Sequence, residues 1–166
     1  MFKKIDRKEL STDPFTIIGD DWTLISAKNN EAVNTMTASW AQLGHLWNSD
    51  VMTIYLRQHR YTKEFVDETK KFSVSFFKEH KKELTYLGRN SGRDKNKIAD
   101  VDFHVVNVDG YPTFEEAYMT FTCEVLYIDD IKKECFLNDD IPSSAYSDND
   151  YHTMYIAKIT GIYVNE

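Results

Sequence analysis

A mainly β fold, an antiparallel barrel carrying short helices, is what this 166-residue sequence predicts. Three observations lead there. Short runs of β-branched and aromatic residues recur along the chain, and aromatic residues reach 14%, with ten Tyr and ten Phe; these residue types suit a pleated, half-buried surface. Only two segments have helical character, too few to supply the crossovers that a parallel α/β sheet needs. Six Gly and three Pro leave little room for long linkers, and a chain of this length fits one domain, expected to span residues 1–166.

Taken in order, Phe15–Ile18 and Trp22–Ala27 read as two short strands about a Gly19-Asp20-Asp21 turn. Val33–Trp40 and Val51–Arg57 are β-branched and aromatic enough for two more. Thr62–Lys70 reads as a helix: it opens on a good N-cap residue, carries Glu64 in its first turn and ends in lysines. Phe72–Phe77 alternates apolar and polar residues with the period of a half-buried strand. Glu79–Leu87 is a second helix, closed by Gly88. Phe103–Val108, Glu115–Ile128 and Thr153–Val164 complete the strands, and the polar run Asp139–Asp150, with Pro142 and several serines, reads as a surface loop.

The net charge of −7 disfavours a phosphate backbone as partner, so no nucleic-acid role is expected and any useful cations should be local, aimed at one small anion. The GxGxxG and P-loop patterns are absent, so such an anion must be held another way. Cys123 and Cys135 form no CxxC and no zinc spacing with the histidines; both are expected to be reduced and structural, with no metal. The first residues lack an apolar run, and no stretch is apolar enough to span a bilayer, so a cytoplasmic location without membrane association is expected.

Four segments carry possible chemistry. Asn34-Thr35-Met36-Thr37-Ala38-Ser39-Trp40, followed by Gly44, offers amides and hydroxyls that suit the edge of a polar heterocycle or, equally, a solvent-facing strand. Arg57, Arg60, Tyr61 and Thr62 stand at a helix N-terminus, where backbone N–H groups, the helix dipole and guanidinium groups favour an anion; an N-cap flanked by surface arginines has the same composition. Ser91, Gly92 and Lys97 lie in a segment whose glycines Gly88 and Gly92 permit close backbone approach, or simply a solvated loop. His152, among aromatic residues at the start of the last strand, suits ring contact or proton transfer, or plain packing.

In this order, the four segments resemble the flavin reductase-like family, in particular its small flavoredoxin-like members. The resemblance runs over roughly residues 15–164 and includes Arg60-Tyr61-Thr62 leading into Glu64-Phe65, Ser91-Gly92-Arg93-Asp94 with Lys97, Glu115-Glu116-Ala117, and Tyr151-His152 with Met154-Tyr155-Ile156. It implies an FMN-binding split β-barrel of Greek-key type, a homodimer with FMN near the subunit interface, and NAD(P)H as transient electron donor or a small-molecule or protein redox partner. Asn34, Thr35, Met36, Thr37, Ala38, Ser39 and Trp40 would line the flavin ring and ribityl chain. Arg57, Tyr61 and Thr62 would sit near the phosphate end, helped by Ser91, Gly92 and Lys97; Arg60 would also bind the cofactor, and His152 would lie near the ring. The implied activity is that of a flavin reductase, oxidoreductase or electron carrier. An FMN-binding module without turnover and a pyridoxamine phosphate oxidase-like enzyme are the alternatives. The chain departs from the family pattern where Leu87-Gly88 replaces Cys-Gly and Ala157-Lys158 replaces Gly-Glu.

Overall fold

A computed structural model describes residues 1–30 and 32–166. Its main feature is an eight-stranded sheet, antiparallel throughout. The strands are β1 (Phe2–Ile5), β2 (Thr23–Lys28), β3 (Val33–Ala38), β4 (Ala41–Leu46), β5 (Ser49–Arg57), β6 (Lys71–Phe76), β9 (Met119–Asp130) and β10 (His152–Asn165). They follow the order β3-β2-β6-β9-β10-β5-β4, with β1 paired to β10. A separate hairpin, β7 (Val105–Val108) and β8 (Tyr111–Phe114), lies beside it. The long connections that mix this order are those of a Greek key rather than a meander.

The two ends of the sheet, β3 and β4, are consecutive in the chain and joined only through Ser39 and Trp40. They share no ladder, and this seam is the split in the barrel. β10 is the spine: along one side it pairs with β9, while along the other its first half pairs with β5 and its last residues with β1.

The core has two compartments. Inside the barrel, Ile25, Met52, Ile54, Leu56, Phe72, Val74, Phe76, Phe121 and Tyr155 pack with Phe65 and Val66 of helix α1 (Tyr61–Thr69). Outside it, Leu24, Phe77, Phe103 and Phe114 pack with Leu84 and Leu87 of helix α2 (Lys81–Arg89). Adjacent residues of β2 therefore serve opposite compartments, which is why this strand is buried on both faces. Each large apolar side chain so buried contributes about 1.5–3 kcal/mol. Gly88 lies within α2 and does not terminate it: a Cβ there would sit 3.0 Å from that of Thr37, so glycine is what lets α2 approach β3 closely.

Several sequence expectations change. Phe15–Ile18 is not a strand; Asp13 accepts from the Phe15 amide and the Thr16 hydroxyl, and the segment turns into a short wide helix, Thr16–Asp20, that buries Ile17 and Ile18 and leaves Phe15 outside. β1 and β4 were not foreseen. β8 was missed although Asp109-Gly110, both at positive φ, is a strong hairpin signal. The segment Glu115–Tyr118 forms a turn, and the strand begins at Met119. Helix α1 takes Arg60 rather than Thr62 as N-cap, which puts Thr62 inside the first turn. The run expected as a surface loop contains helix α3 (Asp140–Ala145) and the buried Tyr146.

Candidate functional site

Two adjoining cavities open near the seam, and both are lined by Met36 and Arg60. One, of about 140 Å3, is cationic. It is bounded by Asn34, Tyr61, Thr62, Ser91, Gly92 and Lys97, with His59, Arg89 and Asn90, and among the described residues no carboxylate lines it. The other, of about 180 Å3, is aromatic. It is bounded by Met36–Trp40 along β3 and the seam, by Tyr55 and Arg57 from β5, and by His152 from β10.

The cationic cavity is built at the start of α1. Arg60 caps the helix without a side-chain hydrogen bond to its first turn, so the leading N–H groups keep their positive potential. The Arg60 guanidinium donates to Gly88 O at 2.6 Å. Lys97 is buried, and its ammonium donates to Leu87 O at 2.7 Å and Asn90 O at 2.9 Å, which ties it to the C-terminal turn of α2. Burial, reinforced by neighbouring Arg60, pulls the Lys97 pKa down to about 8. Arg60 is lowered too, by burial first and then by Arg57. Like charges held together, away from water and without a carboxylate among the lining residues, are stabilised when an anion arrives.

Gly92 completes this cradle. A Cβ there would fall 2.1 Å from Asn34 Oδ1, so any side chain would push Asn34 away from Thr62, whose hydroxyl accepts from Asn34 Nδ2 at 2.9 Å. Ser91 Oγ accepts from the Arg93 amide and shapes the loop. Arg93 stays at the rim, paired with Glu64 and lying over the Tyr61 ring.

The aromatic cavity follows a different plan. The hydroxyls of β3 point elsewhere: Thr35 donates to Ile25 O and Thr37 to Leu84 O. What this strand offers at the seam is its own unpaired backbone edge, since β3 pairs only with β2. Trp40 and Tyr55 lie against His152, with ring centroids 5.2 and 6.4 Å away. Burial and Arg57 hold His152 neutral by drawing its pKa down to about 4.

The sequence grouped Arg57 with the cradle, and the structure separates them. Arg57 lies opposite His152 in the β5–β10 register. Its guanidinium straps the segment after α3, donating to Ala145 O at 2.7 Å, Asp150 O at 3.0 Å and the Asp148 carboxylate at 3.2 Å. Thr35 also stands apart from both linings. The residues missed are Tyr55, His59, Arg89, Asn90 and Tyr146. Tyr55 shares a strand face with Arg57 two positions on, and Arg89-Asn90 directly precede Ser91; those spacings were the available signals.

A family model described as a flavin reductase like domain matches residues 18–166. The chain belongs to that family. No curated protein matches the sequence. Among solved structures, this flavin reductase-like chain resembles a flavoredoxin from Methanosarcina acetivorans (TM-score 0.67, 21% identity, 88% of this chain and 69% of that one). It also resembles an FMN-binding domain of a flavin reductases-like enzyme from Shewanella baltica OS155 (0.69, 15%, 99% and 78%). A third likeness is to an FMN-binding protein from Thermus thermophilus with bound p-hydroxybenzaldehyde (0.69, 18%, 99% and 82%). At these identities the likeness shows the fold. Among the described residues of the flavin reductase-like chain, no group of three or more His, Cys, Asp or Glu gathers as for a metal ion, and no helix is long and apolar enough to cross a membrane. Cys123 and Cys135 are both free.

Proposed function

We propose that this chain, as one domain, binds FMN non-covalently and works as an FMN-dependent oxidoreductase or flavin electron carrier with NAD(P)H as donor. The observation that carries the reading is the cavity pair: a cationic cradle with no carboxylate among its described lining residues, contiguous through Met36 and Arg60 with an aromatic cavity along an unpaired strand edge. That pairing suits a molecule with a phosphate at one end and a planar heterocycle at the other. The Gly92 cradle supports the fit, because a Cβ would occupy the space beside Asn34.

Arg60, Lys97, Ser91 and the first N–H groups of α1 would hold the phosphate, with Thr62 and Asn34 bracing them. Met36–Trp40, Tyr55 and His152 would enclose the ring and limit its contact with water. The bound flavin would supply the electron-transfer chemistry, and the protein its position and surroundings. For assembly, we propose a homodimer. Leu46, Trp47, Leu126, Tyr127 and Ile128 are exposed, and the Trp47 and Tyr127 rings lie 6.2 Å apart, so the β4–β5 turn and the outer half of β9 form an apolar surface that a second copy would cover.

The test is FMN addition followed by desalting. Flavin absorbance retained at one FMN per chain is expected, and a colourless protein overturns the reading. Anaerobic mixing with NADH and NADPH then tests turnover: bleaching no faster than free FMN would leave a binding module.

A further inference from the structure

We propose that Tyr146 is a positioning residue for His152: its hydroxyl donates to Nδ1 and leaves an Nε2–H facing the aromatic cavity as a fixed donor. The functional meaning rests on reading that cavity as the ring end of the site, whereas the geometry stands by itself.

Tyr146 belongs to the run that the sequence marked as surface loop, yet it is only 7% exposed. Its ring is packed from several directions. Tyr151 stacks on it at 4.5 Å, the Arg57 guanidinium lies 5.3 Å over it, and His152 meets it edge-on at 5.5 Å. The hydroxyl lies 2.9 Å from His152 Nδ1, and this is its only hydrogen-bond contact among the described residues.

The direction of that bond follows from what each atom requires. A buried phenol O–H needs an acceptor, and Nδ1 is the one within reach. Nδ1 accepts only when unprotonated, so a neutral imidazole carries its proton on Nε2. Among the described residues Nε2 has no protein partner, yet no buried side-chain nitrogen or oxygen goes unsatisfied. Nε2 is therefore not sealed in the interior; it opens on the cavity that His152 lines. Burial first, then the charges of Arg57, Arg60 and His59, keep the imidazole neutral against the opposing pull of the Asp150 carboxylate, while Tyr55 and Tyr146 face the ring without charge. The outcome is a donor of fixed tautomer and no charge, suited to a carbonyl or ring-nitrogen acceptor on a planar heterocycle. Arg57 acts one step further back, by holding Tyr146 and the backbone on either side of it.

The experiment is a long-range proton–nitrogen correlation spectrum of the histidine rings in flavin-free protein at pH 7, with His152 assigned by His152→Gln. A protonated Nε2 and an unprotonated, hydrogen-bonded Nδ1 are expected. In Tyr146→Phe the Nδ1 resonance should move to the position of an unbonded ring nitrogen, and the Nδ1–H tautomer should become populated. A proton on Nδ1 in the parent protein overturns the proposal, as do nitrogen shifts that Tyr146→Phe leaves unchanged. If Tyr146→Phe does not fold, the parent spectrum decides alone. Because no flavin is present, this result and the FMN-retention result are independent of each other.

Discussion

The two cavities share Met36 and Arg60 but are assembled in opposite ways. Apart from Asn34 and Met36, the cationic cavity draws on two short stretches, residues 59–62 and 89–97. Its Arg60 and Lys97 charges are fixed by hydrogen bonds to backbone carbonyls of residues 87–90. The aromatic cavity gathers β3, the seam, β5 and β10, and its outer support comes from a loop segment that Arg57 straps in place. The first is a preorganised electrostatic site on well-packed elements. The second is a shaped surface whose precision depends on distant parts of the chain. Affinity for an anionic ligand should therefore reside in the first, and ring position and environment in the second.

The largest expected effect tests that division directly. Arg60→Ala combined with Lys97→Met should weaken FMN binding at least about a hundredfold, since a hydrogen bond to a charged group contributes about 1.5–3 kcal/mol and two are removed. Fluorescence titration checks this. Riboflavin, which lacks the phosphate, should bind the parent protein and the double variant almost equally. Equal losses for both flavins would erase the distinction between the cavities.

An intermediate effect comes from pH. The Lys97 ammonium is lowered to about 8 in the free protein, and an anion favours the charged form. FMN affinity should thus hold steady from about pH 7 to 8 and fall as pH rises further, by up to about tenfold per unit. Lys97→Gln should flatten this alkaline limb. A parent curve that stays level to pH 10 would show that Lys97 does not face the phosphate.

The smallest effect on affinity belongs to Arg57→Ala. As a cradle ligand, Arg57 would contribute about ten- to a hundredfold; as a strap, its loss should cost less than about fivefold in FMN affinity. The segment 139–151 should instead become sensitive to limited proteolysis. A large affinity loss without new cleavage would move Arg57 back into the cradle.

Most of the fold was legible because the strands in its middle declare themselves by period and composition: Trp22–Ala27, Phe72–Phe77 and Thr153–Val164 all fall on observed strands. The failures have local causes. At Phe15–Ile18 a β-branched run lost to the carboxylate of Asp13 and its turn. β4 was hidden because its hairpin turns at Trp47-Asn48, both at positive φ, where Asn-Gly or Asp-Gly would have announced it. Of the candidate site, the stretches around residues 34–40, 57–62 and 91–97 were readable as polar or basic segments beside a helix start. Their partition into two cavities was not, because Arg57 and Thr62 are only five residues apart, and the strand end read at Arg57 does not show that its guanidinium turns toward Ala145 and Asp150 rather than toward the helix start. Tyr146 was invisible for a related reason: its burial depends on Arg57 and Tyr151, contacts that no local pattern encodes.

The seam at Ser39-Trp40 has one more consequence. Everywhere else along the large sheet, neighbouring strands are riveted by backbone ladders, but between β3 and β4 the rivets stop and a two-residue covalent tether takes over. Backbone hydrogen bonds therefore do not fix the width of that gap as they fix the spacing of the other strands. Deuterium uptake should be fastest along residues 34–46 and slowest at the centre of β10, which is clamped on both sides. A planar molecule lodged in the gap would stand in for the missing rungs, and the slowing of exchange it causes would trace its outline on the backbone.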